Sequence, residues 1–249
     1  MSNFLSLFLN KRLNFTHLFR PRHCTLCLAA CEGNLCDACQ DSLPHWITDH
    51  CPGCLRPSKD SRMCGACLTA PPAWDRAVAA LQYAFPVDAL IHRLKYRGDL
   101  SLTPILADLL LPKLLAFPLP DCIIPVPLHT NKLKERGFNQ TAEIGRQLSR
   151  RMGIPLLPQV CVRNKDTPSQ TTLPWKKRHS NVRHAFTCTT CLEHQHVALL
   201  DDVMTSGATL HELAKTIRQQ GASEISIWVI ARALPSPALH GVAAHPSLS

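Results

Sequence analysis

The chain has 249 residues, of which 45% are hydrophobic, with 13 cysteines and a formal net charge of +9 at pH 7. This length accommodates a small metal-held module and one sizeable α/β core. The apolar run at 4–9 is too short to cross a bilayer, and Lys11 and Arg12 follow it, whereas a secretion signal has its positive charges first. The sequence therefore predicts a cytoplasmic protein without an integral membrane segment, and it leaves peripheral attachment to the inner membrane open.

Four C-x-x-C pairs lie within residues 21–70, after an N-terminal helix or tail predicted for residues 1–20. Two such pairs complete a tetrahedral Cys₄ site of the kind that holds structural zinc. Pairing in chain order predicts two Zn²⁺ ions and a double zinc ribbon, although crossed pairing stays open. The first predicted set is Cys24, Cys27, Cys36 and Cys39, and the second is Cys51, Cys54, Cys64 and Cys67. A disulfide framework is the alternative, and the absence of a secretion signal argues against it.

Five of the 13 cysteines lie outside these sets. Cys31 is spare, and the pair Cys188-x-x-Cys191 has no second pair nearby. An ordinary loop is favoured at that pair over a metal ligand or a redox site.

A larger domain is predicted over residues 74–234, beyond a boundary at Ala70-Pro-Pro-Ala73. Strands are expected at 77–85, 122–128, 197–200 and 225–231. Helices are expected at 88–96, from Thr103 to an end or kink near Pro112, at 141–152, and from about residue 210 to a stop at Gly221. Because strands and helices alternate, the pattern predicts an α/β fold with a mostly parallel sheet flanked by helices. Residues 235–249 are predicted to be a disordered tail.

The segment 197–210 carries the strongest functional pattern. Residues 197–200 form a short apolar run, typical of a parallel strand that is covered on both faces. Asp201 and Asp202 follow at its carboxyl end, where open α/β sheets bind ligands. The next residues are small or carry hydroxyl groups, so their backbone N–H groups can surround an anion at the start of a helix. They are Thr205, Ser206, Gly207, Ala208 and Thr209.

Two carboxylates beside a phosphate cradle would repel a bare phosphate, but they suit the neighbouring hydroxyls of a ribose. The segment therefore predicts a site for a ribose 5-phosphate. An ordinary strand, turn and helix with an acidic turn is the alternative interpretation.

Positive charge is concentrated between residues 131 and 183, where 12 Lys or Arg and 3 Asp or Glu give a net +9. Such a stretch could contact a pyrophosphate or a nucleic-acid backbone, and a solvated basic face is the equally weighted alternative. The candidate contact residues are Arg136, Arg163, Lys165, Lys176, Lys177 and Arg178.

The segment 197–210 resembles the signature of type I phosphoribosyltransferases. In that family the acidic pair holds the ribose 2- and 3-hydroxyls of phosphoribosyl pyrophosphate, and the following loop holds its 5-phosphate. Together with the cysteine pairs, the order of motifs over residues 24–231 is similar to that of the ComF/GntX family. These motifs are Leu94-Lys-Tyr-Arg-Gly98, Pro125-Val-Pro-Leu128, Arg136-Gly-Phe-Asn-Gln140 and Arg163-Asn-Lys-Asp-Thr-Pro-Ser-Gln170.

The resemblance implies a type I phosphoribosyltransferase-like domain with an N-terminal double zinc ribbon, and Mg²⁺ bound together with phosphoribosyl pyrophosphate. It implies a flexible segment over the site, at 163–170 and 178–181. It also implies a pyrophosphate loop formed by Val126, Pro127, Leu128 and His129.

The ComF/GntX resemblance also implies a role in the uptake or use of external DNA, with single-stranded DNA and a helicase-like competence protein as partners. Two functions follow. One is an accessory protein whose site binds phosphoribosyl pyrophosphate or a related nucleotide. The other is an active transferase that moves the phosphoribosyl group to a nitrogen nucleophile, with an acceptor that the residues do not identify.

Overall fold

The protein divides into two compact units, residues 1–42 and 43–249. The computed structural model describes residues 22–47, 49–166 and 182–234. The segments predicted as an N-terminal helix or tail and as a C-terminal tail lie outside these ranges. The first cysteine set lies in the small unit, and the second lies in the larger one. The domain boundary near residues 70–73 stays a prediction.

The small unit consists of short elements around the first cysteine set. Strands β1 (Arg22–His23) and β2 (Ala30–Cys31) pair antiparallel, and helix α1 (Asp37–Asp41) follows. Among its described side chains, only Cys24 is fully buried. The described part of this unit therefore has no hydrophobic core of its own.

The larger unit contains the remaining elements. In chain order they are α2 (Gly65–Thr69), β3 (Arg76–Gln82), α3 (Val87–Arg97), α4 (Leu102–Leu114), β4 (Cys122–Pro125), α5 (Thr130–Arg136), α6 (Gln140–Met152), β5 (Cys161–Arg163), β6 (Phe186–Cys188), β7 (His196–Met204), α7 (Ala208–Gln219) and β8 (Glu224–Arg232). A 3₁₀ turn lies at Lys59–Ser61.

The main sheet has the strand order β3-β8-β7-β4, and all three pairings are parallel. Strands β5 and β6 form a separate antiparallel ribbon. Both faces of the main sheet are buried, as a parallel sheet requires. On one face, Leu199 and Ile227 join a core with Leu213 and Ile217 of α7. On the other, Leu200 lies near Gly145 of α6, and α4 packs against α6.

Most predicted elements are present with shifted ends, and α4 and β7 differ most from the predicted bounds. Helix α4 begins at Leu102 and continues through Pro112 to Leu114 without the expected end. Its buried leucines, among them Leu110 and Leu114, pack against the core on both sides of the proline and offset the lost backbone hydrogen bond. In the described ranges, no helix is long and apolar enough to cross a membrane.

The second difference concerns β7, which was expected to end at Leu200 and in fact extends to Met204. Its pairing with β4 stops at Pro125 opposite Leu200, whereas its pairing with β8 continues to Arg232 opposite Met204. The acidic pair therefore belongs to the strand itself, at the point where one neighbouring strand has ended and a cleft opens.

Candidate functional site

A cleft lies at the carboxyl end of the parallel sheet. It is lined by side chains from β7, from the segments after β3 and β4, and from helices α3, α5 and α6. The lining includes Asp201, Asp202, Thr205 and Thr209 together with Tyr83, Lys95, Val126, Leu128, Lys132, Arg136, Gln140 and Arg163. Carboxylates and cations therefore face the same space, which suits a ligand that carries both hydroxyl and phosphate groups.

Asp202 is 3% exposed and is held by two side chains from distant parts of the chain. Lys95 Nζ donates to Asp202 Oδ1 at 2.8 Å, and Gln140 Nε2 donates to Asp202 Oδ2 at 2.8 Å. Burial lowers the pKa of Lys95, but the charge of Asp202 and their hydrogen bond raise it by more, so the net pKa of Lys95 is raised. Asp202 is thus an ion-paired acceptor, and its carboxylate retains lone pairs for further donors.

Asp201 is half-buried beside Asp202. Among the described residues, its carboxylate forms no salt bridge of the kind that Lys95 forms with Asp202. Its Oδ1 accepts the backbone N–H of Asp202 at 2.9 Å. Burial raises the pKa of Asp201, the Asp202 charge raises it further, and it reaches about 7. A carboxyl group with this pKa is partly protonated at neutral pH, so it can accept or release a proton. Shifted pKa values of this kind are common at functional sites.

The loop after β7 turns sharply into α7. Gly207 has φ 78°, a left-handed conformation that disfavours other residues. A Cβ added there would lie 2.9 Å from Met204 Cε and 3.3 Å from the Trp74 ring. The five residues predicted to hold the 5-phosphate, 205–209, therefore form a tight turn at the start of a 12-residue helix. We call residues 205–209 the phosphate loop.

The predicted pyrophosphate loop, residues 126–129, follows β4. Val126 and Leu128 line the cleft, whereas Pro127 lines a neighbouring hollow with Phe138. His129 Nδ1 accepts the backbone N–H of Asn131 at 3.2 Å and caps α5. The backbone of His129 pairs with that of Arg163 in an isolated parallel β-bridge. The four residues thus lie at one edge of the cleft, and two of them face it.

Arg163 and Arg136 occupy different environments. Arg163 is 9% exposed and lies over the Phe186 ring at 5.6 Å. Burial lowers the pKa of Arg163, and the charge of Asp201 opposes that shift. Arg136 is half-buried and stacks on Tyr96 at 5.1 Å, and Tyr96 is 56% exposed. Arg163 is therefore suited to a ligand inside the cleft, and Arg136 to one that crosses its rim.

Lys132 adds a third cation to this group. Burial lowers the pKa of Lys132, and repulsion from Arg163 and Arg136 lowers it further. Three mutually repelling cations around one cleft favour a bound anion, which would relieve the repulsion. Lys165, by contrast, is exposed and donates to the carbonyl of Arg183 at 2.7 Å. Lys176, Lys177 and Arg178 lie outside the described residues.

The cysteines come together in the two sets that chain order suggested. In each quartet, the four sulfur atoms lie within 4.8 Å of one another. A zinc–sulfur bond of about 2.3 Å places tetrahedral sulfur atoms about 3.8 Å apart. The Cys27–Cys36 distance of 3.7 Å and the Cys54–Cys64 distance of 3.6 Å match this spacing. Each quartet could therefore hold a structural zinc ion, and none of the 13 cysteines, all within the described ranges, is disulfide-bonded.

The second quartet has hydrogen-bonding groups of the kind that surround metal-bound thiolates. Arg56 Nε donates to Cys54 Sγ at 3.3 Å, and Arg56 Nη2 donates to Cys64 Sγ at 3.5 Å. The backbone N–H of Cys64 donates to Cys51 Sγ at 3.3 Å. Burial raises the pKa of Cys64, but hydrogen bonds from Cys67 and Cys54 outweigh it and lower that pKa to about 6. The donors from Arg56 and the Cys64 backbone would stabilise thiolates at Cys51, Cys54 and Cys64.

No protein-family model matches the chain. Competence protein F of Haemophilus influenzae is 35% identical over 231 residues, which cover 89% of this chain and 100% of that protein. The DNA utilization protein YhgH of Escherichia coli K12 is 33% identical over 226 residues, which cover 86% of this chain and 98% of that protein. The chain belongs to the ComF family.

This ComF family member has an α/β fold with a mostly parallel sheet and flanking helices, and its two quartets fit a double zinc ribbon. Among solved structures, an adenine phosphoribosyltransferase from Leishmania tarentolae is similar, with 12% identity and a TM-score of 0.37 over 66% of this chain and 93% of that one.

Several cleft residues were not among the predicted site residues. Lys95 and Gln140 hold Asp202, although they lie 107 and 62 positions from it along the chain. Both belong to motifs that signalled the family, so a site role for the polar residues of those motifs could have been inferred. In the motif 136–140, Asn139 has a structural role: it caps α6, and its Nδ2 donates to the Val126 carbonyl at 3.0 Å.

Proposed function

We propose that this chain acts in the uptake or use of external DNA and that its cleft binds phosphoribosyl pyrophosphate or a related nucleotide. The observation that carries the ligand assignment is the acidic pair beside the phosphate loop, with three cations lining the same cleft. The DNA role is supported by the relatives named Competence protein F and DNA utilization protein YhgH.

The chemical groups of phosphoribosyl pyrophosphate correspond to groups in this cleft. Ribose hydroxyls donate to carboxylates, so they fit Asp201 and Asp202. The 5-phosphate fits the turn at Gly207, where backbone N–H groups gather at the start of α7. The pyrophosphate fits Lys132, Arg136 and Arg163 and the edge formed by residues 126–129. Mg²⁺ bound to the ligand would offset its remaining charge near the acidic pair.

DNA binding is proposed for the basic rim of the cleft. Arg136 on Tyr96 combines a guanidinium with an aromatic ring, a pairing that suits both phosphates and stacked bases of a single strand. The positive charge continues along the chain at Lys165 and at the predicted contacts Lys176, Lys177 and Arg178. A helicase-like competence protein would be the partner that moves the strand, in the cytoplasm at or near the inner membrane. The chain would then handle DNA that such a partner delivers.

A transferase is the second candidate, and the state of Asp201 favours it. A nitrogen nucleophile would attack the anomeric carbon, the bond from that carbon to pyrophosphate would break, and pyrophosphate would leave with its electron pair. The nitrogen then loses a proton. Asp201, with its pKa raised by burial to about 7, lies in the cleft and is poised to accept a proton at neutral pH.

One assay separates the two candidates. The protein, Mg²⁺ and phosphoribosyl pyrophosphate are incubated with pooled bases and amines, and released pyrophosphate is measured. The accessory function predicts ligand binding by calorimetry without release above a protein-free blank. Release that Asp201→Asn abolishes would establish the transferase instead.

A genetic test addresses the DNA role in a competent host. Deletion of the gene should reduce transformation while growth stays normal with and without added purines. The variant with Lys176, Lys177 and Arg178 all changed to Ala should transform poorly at unchanged protein level. A purine requirement in the deletion strain, or normal transformation by both strains, would contradict the accessory function.

A further inference from the structure

The second quartet and the phosphate loop are joined by two buried side chains, Arg232 and Trp74. The quartet begins with a tight turn, Cys51-Pro-Gly-Cys54, whose carbonyl groups at Gly53 and Cys54 accept hydrogen bonds from the body of the larger unit. The phosphate loop begins immediately after Met204 at the end of β7. Both connections lie wholly within residues 43–249, so they belong to one compact unit.

Arg232, the last residue of β8, is 2% exposed and binds both regions at once. Its Nε donates to the Cys54 carbonyl at 3.1 Å. Its Nη1 donates to the carbonyls of Met204, at 2.8 Å, and of Thr205, the first residue of the phosphate loop. One planar guanidinium therefore fixes the position of the cysteine turn relative to the start of the loop.

Trp74 makes the second connection. Its Nε1 donates to the Gly53 carbonyl at 2.7 Å. Its ring lies under the phosphate loop, since a Cβ at Gly207 would meet the ring at 3.3 Å. The same ring packs edge-on against His211 of α7 at 6.1 Å. The indole thus fills the space between the cysteine turn and the left-handed residue of the loop.

The conformation of the cysteine turn depends on what holds its sulfur atoms. A zinc ion would tie Cys51 and Cys54 to Cys64 and Cys67 and would keep the carbonyls at 53 and 54 where Arg232 and Trp74 reach them. Without metal, the acceptors lose their fixed positions, and the donors that constrain the phosphate loop lose their anchor.

We propose that zinc in the second quartet holds the phosphate loop in its ligand-binding conformation through Arg232 and Trp74, so that zinc occupancy and ligand affinity are coupled. The coupling rests on the proposed phosphoribosyl pyrophosphate site. Because coupling between two sites is reciprocal, the ligand also raises the affinity for this zinc. Arg232 and Trp74 are positioning residues, since they act on the loop and do not face the ligand.

The first experiment compares two arginines that both hold backbone carbonyls. Arg218 Nη1 donates to the carbonyls of Ala222, at 3.1 Å, and Ser223, at 2.7 Å, at the opposite end of the sheet. Arg232→Met should lower the affinity for phosphoribosyl pyrophosphate with Mg²⁺ at least about fivefold, the lower range of site coupling, and should speed zinc release. Arg218→Met should lower stability without changing either quantity. Equal affinity and zinc release in the two variants would overturn the proposal.

A milder variant covers the case in which Arg232→Met does not fold. Trp74→Phe keeps an aromatic ring under Gly207 but removes the indole N–H that binds the Gly53 carbonyl. It should lower ligand affinity and speed zinc release, both by less than Arg232→Met does. If Trp74→Phe folds and its zinc release is unchanged, Trp74 does not connect the second quartet to the phosphate loop.

Reciprocity is measured on a protein that carries only the second zinc. In Cys27→Ser, which should lose the first zinc, zinc released to a chromogenic chelator comes from Cys51, Cys54, Cys64 and Cys67. Adding phosphoribosyl pyrophosphate with Mg²⁺ should raise the affinity for this zinc, measured by competition with the chelator, at least about fivefold, which is the factor by which zinc raises the ligand affinity. An unchanged zinc affinity at saturating ligand would contradict the coupling.

A ligand-free measurement separates failure of the coupling from failure of the proposed function. Amide hydrogen exchange of residues 205–209 is compared in wild type, Cys27→Ser and Cys64→Ser. Loss of protection in Cys64→Ser alone supports the coupling even if the wild type binds no phosphoribosyl pyrophosphate, in which case only the proposed ligand is wrong. Equal protection in all three proteins means that the quartet does not hold the loop.

Discussion

The two cysteine quartets have nearly the same sequence pattern but different surroundings. The first lies in a unit whose described residues bury one side chain, Cys24. The second lies in the larger unit, where Leu55 next to Cys54 is fully buried in the main core and the cysteine turn accepts hydrogen bonds from Trp74 and Arg232. One motif therefore occurs once as a module without its own core and once as part of a larger core.

This difference separates two uses of a structural metal. Where no apolar core exists, the metal must supply most of the folding free energy, and its loss should unfold the module alone. Where the quartet is embedded, the core would keep most of the structure when the metal leaves, and the effect should appear in neighbouring loops. The five predictions below test this contrast and the cleft that the second quartet adjoins.

The largest effect should follow removal of zinc from the first quartet. Structural zinc contributes about 10 to 16 kcal/mol in small modules of this kind, so Cys27→Ser should unfold residues 22–42 completely. The measurement is amide hydrogen exchange by mass spectrometry. Cys64→Ser is the matched variant and should leave the main sheet protected. Protection that persists over residues 22–42 in Cys27→Ser would refute the contrast.

Lys95→Met should cause the next largest loss, because it leaves the carboxylate of Asp202 buried without its cation. Breaking a buried ion pair in this way costs about 3 to 5 kcal/mol of unfolding free energy, measured by urea denaturation. The double variant Lys95→Met with Asp202→Asn removes both charges and should recover part of the loss. If the double variant is no more stable than Lys95→Met, the ion pair is not the cause.

Replacing Asp201 and Asp202 together with Ala should weaken phosphoribosyl pyrophosphate binding, since the ribose hydroxyls lose their acceptors. Groups left unpaired in this way cost about 1 to 3 kcal/mol, which calorimetry measures as a change in Kd. The change should be the same in a Cys27→Ser background, because distant, independent sites contribute additively. Unchanged affinity in the double variant would rule out the ribose assignment.

Asp201 should make stability fall as pH rises. Its pKa is raised from 3.8 to about 7, mainly by burial, so between these values the folded protein binds more protons than the unfolded chain. Unfolding free energy therefore decreases with pH across this window and is constant above it. Asp201→Asn should lack this contribution, so its stability advantage over wild type should be larger at pH 8 than at pH 5. An advantage independent of pH would contradict the assigned pKa.

The smallest effect concerns DNA. Each phosphate contact contributes about 0.7 to the slope of log affinity against log salt on a single strand. Replacing Lys176, Lys177 and Arg178 with Ala should therefore flatten that slope by about 2. The described residues 22–42 contain one arginine and three acidic residues, so Cys27→Ser should leave the slope unchanged. An unchanged slope in the triple variant together with a flatter slope in Cys27→Ser would place DNA binding in the first unit.

The sequence by itself was sufficient for features that depend on neighbouring residues. The C-x-x-C spacing indicated both quartets, because each pair forms a tight turn around one metal. The run of four apolar residues before Asp201 indicated a buried strand, and Gly153 ends α6 in the left-handed conformation. These signals extend over one turn or one strand, so periodicity and residue type suffice to recognise them.

Only the tertiary structure decided which distant residues meet. Arg232 reads in sequence as a charge at the end of a strand, yet it is buried between the cysteine turn and the phosphate loop. Lys95 and Asp202 are 107 positions apart and meet at 2.8 Å. The parallel sheet order β3-β8-β7-β4 brings these residues together, because it aligns the carboxyl ends of strands that are far apart in the chain. No local pattern encodes that order, so the connections around the cleft were not predictable from the sequence.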